Sequence, residues 1–334
     1  MNWKPYYRAE LVRPEGRELI EGYFAEAEDD PQLDAALADR AILSFPHTAL
    51  AYAGPLQARV IAALHRAGVE LIIALGVLHT SAIPAPYAER LELLRDPAAP
   101  LEERRAAFSQ LSGAFIPRGG FIPTPFGSLT IAPVEFTEAV RPDSGILKNE
   151  FSLDTFFSLL AFYCRTRALP PPRVLPVYVG VTRDPESGSF GVGEEIAREL
   201  AELIGPKTAV VTTGDLVHYG TGYGDEERIS QLPQEKEGLE AYFRREVEEV
   251  LARGLGERRL EEAFQMSQEV LKSDQRYILP VIAGLLGPGA GYEILHFELS
   301  DYAGILSVAP PCYVASALVG FRAGRTKSGV SSAC

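Results

Sequence analysis

Ala41-Ile42-Leu43-Ser44-Phe45-Pro46-His47 and Glu70-Leu71-Ile72-Ile73-Ala74-Leu75-Gly76, with residues 55–67 between them, decide the fold. Each apolar run is short and lacks polar alternation, the pattern of a strand buried on both faces. Between them the spacing changes: Leu56, Val60, Ala63 and Leu64 share one helical face, and Gly68 stops the helix. Strand, helix and strand in so short a span make a βαβ unit and predict parallel pairing.

Outward from this unit the chain keeps alternating. Residues 84–120 read as an excursion containing a helix over 101–111, and 121–131 as a turn followed by a strand. A helix is predicted over 152–167. Val174 to Gly180 is a third buried strand, which Pro176 should push toward an edge or a bulge. A helix over 193–204 leads to a fourth strand, Thr208 to Thr213. Two more helices are predicted over 235–251 and 259–271; Val281 to Leu286 lies on another, and Tyr292 to Leu299 is a strand. The prediction is one α/β domain spanning 1–334, with its core in about 41–320 and a mobile polar tail over about 322–334. Its central sheet is expected to be mixed and mostly parallel, with helices on both faces.

A hydrophobic fraction of 46% supports a large core. A formal charge of −13 leaves no basic surface for nucleic acid or anionic lipid. Met1 to Tyr7 lacks a signal peptide's apolar centre, and the apolar stretch 69–78 is too short for a bilayer. Cys164, Cys312 and Cys334 have neither zinc-site nor disulfide spacing and fit a reducing cytoplasm, with Cys334 the exposed thiol and Cys164 in the core. Gly180 and Gly191-x-Gly193 do not make a dinucleotide fingerprint, and 287–291 is a glycine turn without a phosphate-binding lysine.

Chemistry concentrates at strand ends. The first strand ends at His47, the second at His79, and the fourth at Asp215 and His218, so three of five histidines fall on one rim. Parallel sheets place their sites there. Taken singly, such a histidine is more often a hydrogen-bonded loop or core residue. Taken together, imidazoles beside a carboxylate are a ligand set for a divalent transition metal.

The motifs carry a resemblance. Pro46-His47-Thr48-x-x-x-Tyr52-Ala53-Gly54-Pro55 resembles the PHAGY-x-YSGP-like motif of the Memo family, and 73–80 is similar to its ILGPSHH-type segment. Thr124 to Gly127 matches the TPLG turn, and Glu150-x-Ser152-Leu153 the EHSLE stretch with Phe151 in place of histidine. Residues 177–180 and 213–220 look like the PILVG and SSDFSHYG segments, and Ser307-Val308 like the SVSY tail. The matches fall in the family's order from about residue 41 to 317.

The resemblance implies a fold related to class III extradiol dioxygenases, with a metal at the sheet rim and His47 and His79 as imidazole ligands. The family's third ligand is a cysteine in a CGRxPI-like segment. Aligned on Arg276, that position is Asp274, with Ser273 the alternative one residue earlier; Asp274 could also be only a helix cap. A carboxylate is harder than a thiolate and favours Fe(II), with zinc, manganese and copper the other candidates. His218 stands where the dioxygenases place an acid/base, with Asp215 to orient it. Tyr52 and Tyr219 are expected in the pocket, and Glu150 is expected to support the site or merely a helix dipole.

The expected function is a non-haem Fe(II) oxygenase or oxidase acting with O2 on a small metal-chelating substrate, with extradiol-type cleavage if that substrate is a catechol. A non-catalytic metal- or peptide-binding protein and a zinc-dependent hydrolase are the alternatives. No nucleic-acid or membrane partner is expected; a homo-oligomer is compatible with the sequence, and the expected location is cytoplasmic.

Overall fold

The computed structural model describes residues 3–96, 98–135 and 137–324. Three helices open the chain: α1 (Trp3–Val12), α2 (Pro14–Glu26) and α3 (Pro31–Ala38). β1 (Ile42–Phe45), α4 (Leu50–Arg66) and β2 (Leu71–Val77) follow. The excursion holds α5 (Ala85–Arg95), α6 (Leu101–Leu111) and β3 (Ala114–Ile116). A hairpin of β4 (Phe121–Thr124) and β5 (Gly127–Thr130) and the short β6 (Val140–Pro142) lead to α7 (Asp154–Thr166) and β7 (Arg173–Val179). Then come α8 (Gly191–Ala201), β8 (Thr208–Thr213), β9 (His218–Gly220), α9 (Glu226–Ile229), α10 (Lys236–Leu251) and α11 (Leu260–Glu269). A 3₁₀ turn, Asp274–Tyr277, precedes α12 (Leu279–Leu286), β10 (Gly291–Asp301), α13 (Ala303–Leu306) and β11 (Cys312–Arg322).

The main sheet runs β10-β11-β1-β8-β2-β7-β3-β6, with β9 also paired to β11. It is mixed rather than mostly parallel. β1, β8, β2 and β7 form a parallel centre, whereas β10/β11, β11/β1, β9/β11 and β3/β7 are antiparallel. The connection from β10 to β11 is too short for a crossover, so those strands can only pair antiparallel. β1 and β2 are not neighbours either: β8 lies between them and pairs with both. The chain moves from β1 to β2 past that gap with α4 on one face. It returns from β7 to β8 with α8 on the other, as a constant crossover hand requires.

Strand alternation divides the core in two. Leu43, Phe45, Ile72, Ala74 and Val211 join the helical cluster of α2, α3, α4 and α7. Ile42, Ile73, Leu75, Val177 and Val210 join that of α8, α10, α11 and α12. Both faces of the central strands are therefore covered, which is why those segments read as unbroken apolar runs.

Local chemistry sets the element ends. The Asp30 side chain accepts from the Leu33 N–H at 3.1 Å to cap α3, and it also holds Arg59 of α4 at 2.7 Å. Gly68, at φ 65, takes the left-handed position that closes α4. Pro176 lies inside the sheet, not at its edge. Arg173 donates toward β2, and the Val174 carbonyl accepts from Ala132 on the opposite side. Alternation turns the missing N–H of Pro176 to that second side, between the Ile131 bridge at Val174 and the start of β3 pairing at Tyr178.

Arg322 belongs to β11 and pairs with Glu293 at 2.6 Å. The rest of the expected tail, from 325, and its Cys334 lie outside the described residues. Cys164 and Cys312 are buried free thiols, and burial pushes Cys164 up to about 11. Among the described residues no helix is long and apolar enough to cross a membrane.

Candidate metal centre

The carboxyl ends of β1, β8 and β2 lie side by side, and each delivers a polar residue to the same rim. β1 runs into Pro46-His47. The His47 N–H donates to Asp215 Oδ1 at 3.1 Å, and the Gly214 N–H donates to the Phe45 carbonyl at 3.2 Å, so the turns after β1 and β8 are tied together. β2 runs into Leu78-His79, whose N–H donates to Glu150 Oε2 at 2.8 Å. The Ser152 hydroxyl, donating to the Val77 carbonyl at 3.0 Å, anchors the Glu150 loop beside it. Asp274 arrives from the 3₁₀ turn, its N–H donating to the Asp215 carbonyl at 3.0 Å.

Hydrogen bonding fixes the tautomer of three rings. The Thr213 hydroxyl donates to the Phe45 carbonyl at 3.1 Å, so its oxygen can only accept from His47 Nδ1, 3.2 Å away. His79 Nδ1 faces the Glu150 carboxylate at 3.0 Å, and His218 Nδ1 faces the Lys272 carbonyl at 2.8 Å. Every one of these partners accepts, so each Nδ1 carries a hydrogen, and each Nε2 presents a lone pair whenever its ring is neutral. Lys272 holds a left-handed backbone, φ 51, while presenting its carbonyl to His218, a local cost that sits at the site.

These lone pairs converge. His47 Nε2 and His79 Nε2 are 3.0 Å apart, and Asp274 Oδ2 lies 3.4 Å from the first and 3.6 Å from the second. Ligands about 2.1 Å from one ion are separated by about 3.0 Å at right angles and about 3.4 Å at the tetrahedral angle. The residues therefore fit a divalent cation. His218 Nε2 and Asp215 Oδ2 lie just outside, 3.8 Å from each other, with His218 also 3.8 Å from Asp274. Among the described residues these five form two overlapping groups of metal-ligating type, sharing Asp274.

Charge supports the same reading. Burial works to lower His79, but the Glu150 and Asp274 carboxylates outweigh it and raise it to about 10. A proton thus occupies the position a cation would take. Burial works to raise Glu150, but His79 and the surrounding N–H donors bring it down to about 2. Its two oxygens accept from the His79 N–H and Nδ1 and from the Phe151 and Ser152 N–H groups. Asp274 is held well below the usual carboxylate range despite burial, by the charges and hydrogen bonds of His218, His47 and His79.

A cavity of about 390 Å³ opens over the centre. Ile83, Leu91, Leu111 and Val181 form its apolar wall, while His47, His79, Asp215, His218 and Asp274 all reach it. The cap of the 3₁₀ turn is Ser273, whose hydroxyl accepts from the Gln275 N–H at 3.2 Å, so the capping role falls to Ser273 and the Asp274 carboxylate is left to the cavity. Glu150 supports His79 rather than a helix end.

Two pocket assignments are corrected. Tyr219 follows His218 on β9, so alternation turns its ring away, against Phe243 at 5.1 Å. Tyr52 donates to the Asp301 carbonyl at 3.0 Å and packs on Tyr302; like Tyr219 it does not line the cavity. Tyr7, Tyr223 and Tyr302 line it instead, with the Tyr223 ring 4.7 Å from that of His218. Phe151 stacks on His79 at 4.4 Å. No spacing rule pointed to these tyrosines: Tyr7 sits on a helix with little apolar periodicity, and Tyr223 in a glycine-rich loop.

Compared with known proteins, the chain matches no family model and no curated protein.

Proposed function

We propose that this chain is a Memo-like non-haem iron oxygenase or oxidase, acting with O2 on a small substrate that chelates the metal. The observation that carries this reading is the convergence of two Nδ1–H imidazoles and one carboxylate on a point fit for a divalent ion, beneath a cavity. Two histidines and one carboxylate leave coordination positions open, as oxygen-using iron sites require. Bound there, Fe(II) would supply Lewis acidity and one-electron redox chemistry.

The protein's own residues do the rest. Glu150 fixes the ring of His79 and Thr213 that of His47, so both Nε2 atoms are held in place before any ligand arrives. The Nε2 of His218 faces the cavity while its Nδ1 is anchored on Lys272; it can take a proton from a substrate hydroxyl and return it later. A protein that only stores metal has little use for such a group. The apolar wall limits water around the reacting atoms.

Elemental analysis of protein purified without oxygen tests the reading. Iron near one atom per chain is expected in the parent and is lost in His47→Ala and Asp274→Ala. Zinc with hydrolytic activity, or iron retained in Asp274→Ala, refutes it.

A further inference from the structure

We infer that the cavity selects chelating substrates that also carry a carboxylate, held by Arg276. This rests on the proposed metal-chelating reading and adds the second feature of the substrate. Two cations line the cavity, Lys272 and Arg276. Lys272 is already engaged: its Nζ lies 2.9 Å from Asp225 Oδ1 and also donates to the Tyr223 carbonyl. Arg276 is not. Among the described residues its one hydrogen bond runs from Nη1 to the Ser273 carbonyl at 2.6 Å, and no carboxylate lies within ion-pair distance.

Many arginines of this acidic chain have a carboxylate partner, as in Arg183–Glu261, Arg253–Glu262 and Arg59–Asp30. Arg276 faces the cavity without such a partner, and with Nη1 on the Ser273 carbonyl its Nε and Nη2 edge is left for a planar anion. Position adds to this: Asp274 and Arg276 lie on one 3₁₀ turn, so the anion anchor and the third metal ligand are rigidly linked. The guanidinium also lies over the Tyr277 ring at 5.4 Å, which restrains its plane. A phosphate would satisfy the same fork, but the apolar wall and the modest cavity favour a small organic acid.

Calorimetric titration of iron-loaded, oxygen-free protein with catechol, 2,3-dihydroxybenzoate and 3,4-dihydroxybenzoate tests the inference. The better of the two acids is expected to bind about tenfold tighter than catechol, or more. Arg276→Gln brings the acids to within about twofold of catechol while leaving catechol itself unchanged, and Arg276→Lys restores part of the preference. Equal affinities in the parent, or a preference that survives Arg276→Gln, overturn it. The same titrations on metal-free protein separate the two claims. If no affinity changes when iron is removed, metal chelation fails, while the preference for acids still decides the role of Arg276.

Discussion

Glu150 shows how much a single side chain carries here. It is buried, accepts every N–H donor within reach and keeps the His79 hydrogen on Nδ1. Glutamine has the same shape, but one of its two terminal atoms donates rather than accepts, so Glu150→Gln sets an NH2 group against an N–H. A loss of about 1–3 kcal/mol of stability is expected by urea unfolding. Metal affinity should fall roughly 10- to 100-fold in a chelator competition, the usual effect of removing a partner behind a ligand. Unchanged metal affinity would mean that His79 is oriented by its Phe151 stacking instead. Thr213→Val makes a milder version of the same test at His47, since valine removes the acceptor at Nδ1 and keeps the volume; a loss of about tenfold is expected.

At the scale of elements, the strands that build the rim were legible, and the 3₁₀ turn that brings Asp274 to it was not. β1, β2 and β8 are buried on both faces, so their residues form short apolar runs and their ends mark His47, His79 and Asp215. Asp274 could be reached only through alignment on Arg276. It sits in a short 3₁₀ turn after a left-handed residue, where no hydrophobic period exists to read. β11 escaped because its small residues, Ala315, Ser316, Ala317 and Gly320, dilute the apolar signal of a doubly buried strand. That strand, with β10, is what makes the sheet mixed. α1 buries only Tyr7 and Leu11, and α5 only Leu91, too few for a stripe.

Two elements carry predictions of their own. Phe45 ends β1 fully buried, with its ring stacked on Phe156 of α7 at 4.4 Å. Phe45→Ala is expected to cost about 3–5 kcal/mol, read as a lower urea midpoint at constant slope. At the start of α7, burial raises Asp154 to about 6, with Glu150 adding to the effect and Lys4 at 3.4 Å opposing it. The folded state thus favours the protonated form, and the penalty on the charged form is absent below the unfolded value near 3.8 and complete above about 6. The difference in melting temperature, Asp154→Asn minus parent, should become more positive from pH 4.5 to pH 7. About a third of the side chain remains exposed, so the change is modest. A flat difference would show that the carboxyl titrates as in water.

At the scale of the whole molecule, the centre joins segments that meet nowhere else in the sequence. His47 and His79 follow strands near the start of the chain, whereas Asp274 lies beyond α11, and the unfolded chain has no means of holding the three at 3.0–3.6 Å. A metal bound there therefore stabilises the folded state selectively. Free iron at 100 times its dissociation constant would add about 2.7 kcal/mol, a rise of a few degrees in a chain of this size. Removing it with a chelator should lower the melting temperature by the same amount in the parent and leave His47→Ala unmoved. Arg276→Gln, which changes no ligand, should keep the whole metal-dependent rise. A parent whose melting temperature ignores both iron and chelator would show that the imidazoles share a proton and nothing more, and the centre would then be a polar knot in the rim with no metal to hold.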